Sequence, residues 1–227
     1  MSGLSVAIKA KKFGDTAVLG EVGFNLAAGE RAALLGRSGI GKSTLLSLIS
    51  GMDTVFDGSI AKPPGRLAMV FQSPRLLPWR TLAENIAIVP GAGDMNRARQ
   101  LLGEVGLADA VDQYPEKVSL GMQRRASLAR AMAVEPDLIL LDEPLASLDP
   151  ATAAQMREEL TILFERTGAT VLLATHDRRE ALALTDRILE LAGKPATIAE
   201  NSPSPLDRAA RKNPSQVEAA HAELYGA

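Results

Sequence analysis

The sequence feature that most constrains this chain is a short glycine-rich loop that runs from Gly36 to Thr44. An apolar run leads into the loop and a second apolar run follows it, which is the order expected for a buried strand, a turn and a helix. Such a loop wraps a polyphosphate with its backbone N–H groups, while a lysine reaches the outer phosphates and the next hydroxyl binds magnesium. Lys42 and Ser43 occupy those two places. A chance match in a glycine-rich turn is the alternative, because a motif this short carries a false-positive risk.

The composition is that of an ordinary globular protein, with 46% hydrophobic and 23% charged residues. The formal net charge of −2 gives no support to a nucleic-acid partner, so none is expected. The chain has no cysteine, which excludes disulfides and thiolate metal sites. No signal peptide is expected from the first residues, and no apolar stretch approaches the roughly 20 residues that cross a bilayer. If the protein works at a membrane, other chains must do the crossing.

The pattern of apolar residues divides the chain into segments. Residues 4–35 are predicted to form a β-rich opening, because 4–8 and 22–26 alternate with a period of two. About residues 73–135 are predicted to form a helical lobe inserted into a nucleotide-binding domain. Apolar strands follow at 138–141 and 170–174, and their continuous hydrophobicity is typical of a parallel sheet covered by helices. About residues 192–227 are predicted to form a tail with one helix near its end.

Two carboxylates, Asp142 and Glu143, follow the first of those apolar strands. The strand delivers them to the end of a parallel sheet where ligands bind. Asp142 can hold magnesium through water, and Glu143 can polarise the water that attacks a γ phosphate. A solvated acidic strand end is the alternative. Phe13, near a Gly-Asp turn, is similarly open to two interpretations, a stacking surface for a flat ligand or ordinary turn packing.

In order and spacing, these features resemble the ATP-binding subunit of ABC transporters over nearly the whole chain. The matching features are Phe13 for the adenine-stacking aromatic, residues 36–44 for Walker A, Gln72 for the Q-loop, Val118-Ser119-Leu120-Gly121-Met122-Gln123 for the signature, Asp142-Glu143 for Walker B, Ser147-Leu148-Asp149 for the D-loop and His176 for the switch histidine. The resemblance implies that Phe13 stacks on adenine. It also makes His176, which alone would more often be a structural histidine, a γ-phosphate contact.

The resemblance implies ATP and Mg²⁺ as cofactors and a second ATPase subunit as a partner. A homodimer is expected, and a heterodimer is the alternative. Two such domains face each other head to tail, and each ATP lies between the phosphate loop of one and the signature of the other. The implied catalytic residues are Glu143, His176, Gln72 and Lys42, and the implied metal-binding residues are Ser43, Gln72 and Asp142. The implied nucleotide-binding residues are Phe13, Gly36, Arg37, Ser38, Gly39, Ile40, Gly41, Lys42, Ser43, Thr44, Gln72, Ser119, Gly121, Met122 and Asp149.

The resemblance also implies the fold class. We expect an α/β fold consisting of a P-loop NTPase core with a mostly parallel sheet, an N-terminal antiparallel β subdomain and an inserted helical subdomain. Residues 1–227 are expected to form a single ABC ATPase domain of this kind.

The signature departs from the family pattern at one position, because Leu120 stands where the family usually has its first glycine. If that glycine serves close backbone approach or a special dihedral angle, leucine weakens the ATP site. If the position is already helical, leucine is harmless. The retained Ser119 and Gly121 favour a working site.

A finer resemblance follows the glutamine, where Pro74-Arg75-Leu76-Leu77-Pro78-Trp79 is similar to the importer branch that serves nitrate, sulfonate and taurine. In that branch this region receives the coupling helix of a transmembrane permease, so Leu77 and Trp79 are candidate anchors. Plain packing is the alternative for Trp79. The resemblance further implies a solute-binding protein as an indirect partner and a peripheral location on the cytoplasmic face of the inner membrane.

The expected function is therefore that of an ATPase that drives uptake of a small anionic solute through a separate permease. A soluble ABC-type ATPase without a transport role is the alternative. A P-loop kinase or GTPase does not fit, because the chain pairs Asp142 with Glu143 and lacks the Asn-Lys-x-Asp run that specifies guanine.

Overall fold

A computed structural model describes residues 3–90, 94–146 and 148–226. The chain forms two compact units. The first unit comprises Met1–Pro64, Leu140–Glu143 and Ala169–Ala227, and the second comprises Gly65–Ile139 and Pro144–Gly168.

The described residues form strands and helices in the following order. The strands are β1 (Leu4–Phe13), β2 (Thr16–Leu19), β3 (Val22–Leu26), β4 (Arg31–Leu35), β5 (Asp57–Ala61), β6 (Leu67–Val70), β7 (Leu138–Asp142), β8 (Thr170–Thr175), β9 (Arg187–Gly193) and β10 (Ala196–Pro203). The helices are α1 (Lys42–Ser50), α2 (Leu82–Ala87), α3 (Met95–Glu104), α4 (Leu120–Ala133), α5 (Pro150–Thr167), α6 (Arg178–Leu184) and α7 (Pro214–Tyr225), with 3₁₀ turns at Ala108–Ala110, Pro115–Lys117 and Ala210–Lys212.

The first unit joins an antiparallel region to a parallel one. Strand β1 pairs antiparallel with β2, β3 and β5, and from Leu4 to Lys9 its burial alternates with a period of two. Strand β4 pairs parallel with both β8 and β9. Every residue of β4 and β8 is buried, as expected for central strands covered on both faces. The phosphate loop therefore begins at the end of β4, a buried strand that is paired on both sides.

The helices of the first unit bury apolar faces against this sheet. Helix α1 buries Leu45, Leu46, Leu48 and Ile49. Helices α6 and α7 share a cluster with β4 and β9, in which Ala33, Leu35, Leu182, Ile188 and Val217 are members. Burial of this kind contributes about 25 cal/mol per Å² of apolar surface and holds the ends of β4 and β8 in place.

The second unit contains β6, the start of β7, and helices α2 to α5. Helix α2 begins with a capping box, in which Thr81 and Glu84 each accept from the other's backbone N–H. Asn85 is fully buried and binds the preceding loop, since its amide group donates to three backbone oxygens, those of Leu77, Arg80 and Thr81.

The sequence analysis predicted none of α6, β9 and β10. The segment assigned to a tail with one helix also contains β10, which forms an antiparallel pair with β9. The sequence of β10 is mostly polar and ends in Ser-Pro, so it lacks the apolar alternation of the other strands. Its pairing depends on the tertiary partner. Among the described helices, none is long and apolar enough to cross a membrane. The predicted domain boundaries stay a prediction.

Candidate active site

The phosphate loop connects β4 to α1, as the sequence predicts. Gly41 precedes the helix with φ 120°, and a Cβ at this position would lie 2.8 Å from Leu19 Cδ2. Only glycine tolerates both the dihedral angle and the close approach. Helix α1 begins at Lys42 without a side-chain cap. The first backbone N–H groups of the helix therefore remain suited to an anion.

Lys42 is buried, with 4% of its surface exposed, and its ammonium contacts the loop itself. Its Nζ donates to the carbonyl oxygens of Gly36 at 2.8 Å and Arg37 at 3.3 Å. The same atom lies 3.2 Å from Glu143 Oε1. A phosphate group that enters the loop must therefore compete with these three oxygens for the ammonium.

Glu143 contacts both Lys42 and His176. The Glu143 N–H donates to the carbonyl oxygen of Ala174 at 2.9 Å, which ties the end of β7 to β8. Glu143 Oε2 lies 3.3 Å from His176 Nδ1. The carboxylate thus bridges the lysine of the phosphate loop and the histidine that follows β8.

A second pair of oxygens lies beside the loop. The Ser43 hydroxyl donates to Asp142 Oδ1 at 3.0 Å. Hydroxyl and carboxylate oxygens are the ligands that Mg²⁺ prefers, and Mg²⁺ is usually held by one or two carboxylates together with substrate phosphates. In the part of the chain that the structure describes, no three acidic or histidine side chains form a metal-binding group of their own. The two oxygens therefore suit a metal that is shared with a phosphate ligand.

A cavity of about 420 Å³ opens beside Glu143 and His176. Arg178 and Glu190, which no motif identified, also line it and lie 3.2 Å apart. The guanidinium of Arg178 stacks on the Tyr225 ring at 3.9 Å. The only sequence signal for Arg178 is its place two residues after the histidine.

Phe13 lies at the end of β1 with 54% of its surface exposed. It borders a cavity of about 270 Å³ together with Ser43, Thr44, Ser47, Met52 and Asp53. The ring is therefore near the first turns of α1 and open to a flat ligand. Two residues that the sequence motifs missed, Lys11 and Asp53, form an ion pair of 2.6 Å at this place.

The remaining predicted residues belong to the second unit. Gln72 follows β6 and is exposed. Ser119 is the N-cap of α4, and its hydroxyl oxygen accepts from the Met122 N–H at 3.2 Å. Gly121 lies in the first turn of the same helix.

The position of Leu120 bears on the open question about the signature. Leu120 is the first residue of α4, half of its surface is exposed, and it is not among the residues with a positive φ. The backbone there is one that leucine adopts readily.

Asp149 caps the next helix of the second unit. One carboxylate oxygen accepts from the N–H groups of Ala151 and Thr152, and the other accepts from the Thr152 hydroxyl at 2.6 Å. The hydrogen bonds, the largest from the Thr152 side chain, lower the pKa of Asp149. Ser147, the other polar residue of the predicted D-loop, lies outside the described residues.

The comparison with protein families agrees with this geometry. Residues 19–146, more than half of the chain, match the family described as ABC transporter. The chain belongs to the ABC transporter family. The match includes the phosphate loop, the signature and the Asp142-Glu143 pair.

Curated relatives cover nearly the whole chain. The aliphatic sulfonates import ATP-binding protein SsuB 1 of Pseudomonas savastanoi pv. phaseolicola is 40% identical over 210 residues, which cover 90% of this chain and 89% of the relative. The corresponding SsuB 2 of Paracoccus denitrificans is 42% identical over 207 residues, which cover 90% of this chain and 83% of the relative.

A solved structure is similar as well. It is described as the dimeric structure of a post-hydrolysis state of the ATP-binding cassette MJ0796 bound to ADP and Pi. It superposes with a TM-score of 0.78 at 27% sequence identity, covering 90% of this chain and 100% of the other. These comparisons confirm the predicted family and importer branch, the α/β P-loop fold, and the prediction of an ATPase that binds ATP. The soluble alternative without a transport role is not favoured.

Proposed function

We propose that this chain hydrolyses ATP to drive uptake of a small anionic solute, of the nitrate, sulfonate or taurine type, through a separate permease. The observation that carries the proposal is the Glu143 carboxylate, which lies 3.2 Å from the Lys42 ammonium and 3.3 Å from His176. A carboxylate, a cation and a histidine at the mouth of a phosphate loop are the groups that γ-phosphate hydrolysis needs.

The phosphate loop, residues 36–44, holds the phosphates of ATP, and Phe13 stacks on the base. Lys42 leaves the loop carbonyls and Glu143 for the phosphate oxygens, because charge-assisted contacts to phosphate are stronger than those to carbonyls. The same movement frees Glu143. Nucleotide binding thereby prepares the base for its task.

Ser43, Asp142 and Gln72 hold Mg²⁺ in this proposal. The hydroxyl and carboxylate oxygens, 3.0 Å apart, fit the hard oxygen ligation of that ion. When bound, the ion neutralises charge on the β and γ phosphates. Gln72 lies in an exposed segment after β6, which leaves its side chain accessible to a ligand.

Glu143 acts as the general base. It accepts a proton from the water that attacks the γ phosphorus, and the bond from that phosphorus to the ADP oxygen breaks as the new bond forms. His176 contacts the γ phosphate, and its Nδ1 faces the Glu143 carboxylate. The histidine therefore orients the base as well as the phosphate.

A second copy of the chain supplies the facing wall of the site. Ser119, Gly121 and Met122 lie at the beginning of α4, where helix N–H groups attract phosphate oxygens. The Ser119 hydroxyl accepts from Met122 and still has its own proton to donate to a phosphate. Asp149, the last residue of the D-loop, caps α5 and completes this nucleotide-binding wall.

Permease subunits dock near Leu77 and Trp79, and a solute-binding protein delivers the solute to them. Trp79 is 70% exposed, a high value for a large aromatic side chain. Docking to such a permease places the chain at the cytoplasmic face of the inner membrane as a peripheral subunit. The names of the relatives, which refer to import of aliphatic sulfonates, support an anionic sulfonate as the solute.

Glu143→Gln tests the proposed role of the base. The amide cannot accept the proton but keeps the shape, so we expect ATP binding to persist while turnover falls about 10²-fold or more. Size-exclusion chromatography with ATP should then show a stable dimer. Lys42→Ala is the matched contrast, because it should weaken nucleotide affinity itself. Hydrolysis at the wild-type rate in Glu143→Gln would refute the role of Glu143.

A further inference from the structure

Lys11 is a buried cation that the known motifs leave unexplained. Only 2% of its surface is exposed, although lysine is almost never fully buried unless its ammonium is paired. Its Nζ donates to the Val55 carbonyl oxygen at 2.8 Å and lies 2.6 Å from Asp53 Oδ2. The same atom lies over the Phe13 ring, 4.4 Å from its centroid, within the range of a cation–π contact. One ammonium thus joins the exposed aromatic ring to the loop that follows α1.

The geometry of β1 explains how the lysine and the ring meet. Lys11 and Phe13 are two residues apart and share one face of the strand, while Lys12 between them is exposed. The register of β1 against β5 shifts between Ile8 and Ala10, because Lys9 is an extra residue in β1. A bulge of this kind bends the strand and changes the direction of the side chains beside it.

The other two contacts connect the ring to the helix that begins at the phosphate loop. Helix α1 ends before Gly51, and the loop after it carries Asp53 and Val55. The Asp53 N–H donates to the Ser47 carbonyl oxygen at 3.1 Å, and Asp53 Oδ1 accepts from the Val55 N–H at 3.0 Å. The hydrogen bonds from Lys11 and from Val55 lower the pKa of Asp53, so the acid remains ionised opposite the ammonium.

The ammonium contacts one face of the Phe13 ring, and more than half of the residue's surface is still exposed. The ring borders the cavity that it shares with Thr44, Ser47 and Met52. A ring that is held in place before binding loses less side-chain freedom when a base stacks on it. Stacking is therefore stronger with the lysine present than without it.

We propose that Lys11 is a positioning residue for the nucleobase, because its ammonium fixes the Phe13 ring in the orientation on which an adenine-type base stacks. This inference rests on the proposed function, since it assumes that the phosphate loop binds a nucleotide. It predicts a selective effect. Lys11 contributes to affinity for ligands that carry a base and does not contribute to affinity for a polyphosphate alone.

Isothermal titration of the full chain with MgATP and with magnesium tripolyphosphate tests this selectivity. Lys11→Met removes the charge and keeps a flexible apolar side chain of similar length. We expect the Kd for MgATP to rise about fivefold, because a ring that the lysine no longer holds must be ordered when the base stacks on it, while the Kd for tripolyphosphate stays within about twofold. The control Lys12→Met, at the exposed neighbouring position, should change neither constant. An unchanged Kd for MgATP in Lys11→Met, or equal weakening of both ligands, would overturn the proposal.

A double-variant cycle tests whether the lysine acts through the ring. Phe13→Leu should also weaken MgATP selectively, and adding Lys11→Met to it should cause no further loss. Independent, additive losses would contradict a positioning role.

A further variant covers the case in which thermal melting shows that Lys11→Met does not fold. Asp53→Asn then keeps the shape of the loop while removing the charge that holds the ammonium. A rise of about threefold in the Kd for MgATP, with no matching rise for tripolyphosphate, is expected, and an unchanged Kd for MgATP overturns the proposal. A wild-type chain that bound neither ligand would refute the proposed function itself.

Discussion

Glu143 has a backbone conformation that is unusual for its residue type, with φ 46°. A left-handed conformation costs a non-glycine residue on the order of 1 kcal/mol, and it persists only where surrounding contacts maintain it. In Glu143 these contacts are the hydrogen bond from its N–H to the Ala174 carbonyl oxygen and the side-chain contacts to Lys42 and His176. The turn after Asp142 thereby directs two consecutive carboxylates to different partners, one to Ser43 and one to Lys42.

Leu120 provides the residue-scale test of the signature. The side chain is exposed at the first position of α4, where the backbone is helical, so we expect Leu120→Gly to leave the steady-state ATPase rate of the assembled complex within about twofold. Ser119→Ala is the comparison, since it removes both the helix cap and the proposed phosphate contact and should lower the rate. A tenfold rise in rate for Leu120→Gly would instead show that leucine weakens the site.

At the scale of elements, Asp186 fastens the turn between α6 and β9. Its carboxylate accepts hydrogen bonds from the Arg31 N–H and from the side chains of Arg208 and Arg211. Burial alone would raise the pKa of Asp186, but the hydrogen bonds from the two guanidiniums and the Arg31 N–H outweigh it and lower the pKa to about 2. The carboxylate therefore joins β4 to the chain that leads into α7.

This pKa predicts a pH dependence of stability. Because the pKa is lower in the folded state than in the unfolded state, the carboxylate stabilises the fold above about pH 4, and the contribution is lost as the pH falls toward 2. Asp186→Asn should reduce the free energy of unfolding by about 2 kcal/mol at pH 7 and by about half of that at pH 3. Urea denaturation at both pH values measures the difference. An equal reduction in the free energy of unfolding at pH 7 and pH 3 would mean that the variant is destabilised by a change in packing and not by the loss of the charge.

At the scale of the whole chain, the two units carry different candidate tasks. The first unit contains the phosphate loop, the carboxylates, the histidine and Phe13, whereas the second contains the signature and the predicted permease-facing segment. Within the second unit, the buried Asn85 side chain holds that segment by hydrogen bonds to Leu77, Arg80 and Thr81. These hydrogen bonds hold the backbone on both sides of Trp79, whose side chain is exposed.

Trp79→Ala should separate assembly from hydrolysis. If the tryptophan is an anchor for the permease, its loss should lower the affinity for the permease about 30-fold, so that less permease co-purifies. ATP binding by the isolated chain should stay unchanged. Ile88→Ala, at another exposed apolar residue of the same unit, is the control and should have little effect. Undiminished co-purification of Trp79→Ala would favour plain packing for this side chain.

Much of the site could be predicted because its signals are local in sequence. The glycine spacing predicted the phosphate loop, and the apolar strand at 138–141 predicted that Asp142 and Glu143 would lie at the ligand-binding end of the sheet. The capping box of Thr81 and Glu84 likewise needed only neighbouring residues. In each case the backbone geometry of a short segment determines the outcome.

Other features depended on residues that are distant in sequence. In the sequence, Lys11 is one of several lysines and no pattern distinguishes it. In the structure, the bulged strand β1 and the loop after α1 place Asp53, Val55 and Phe13 around its ammonium. Strand β10 has no strong pattern of its own and forms because β9 offers it an edge.

The sequence alone determined the family, the α/β fold class and the chemistry of the phosphate loop, because these follow from motif spacing and hydrophobic period. The tertiary structure decided which partners each charged side chain has. It put Glu143 between Lys42 and His176, and it put the Lys11 ammonium over the Phe13 ring. Such pairings are set by long-range packing, since a buried charge is stable only where the fold brings a partner to it.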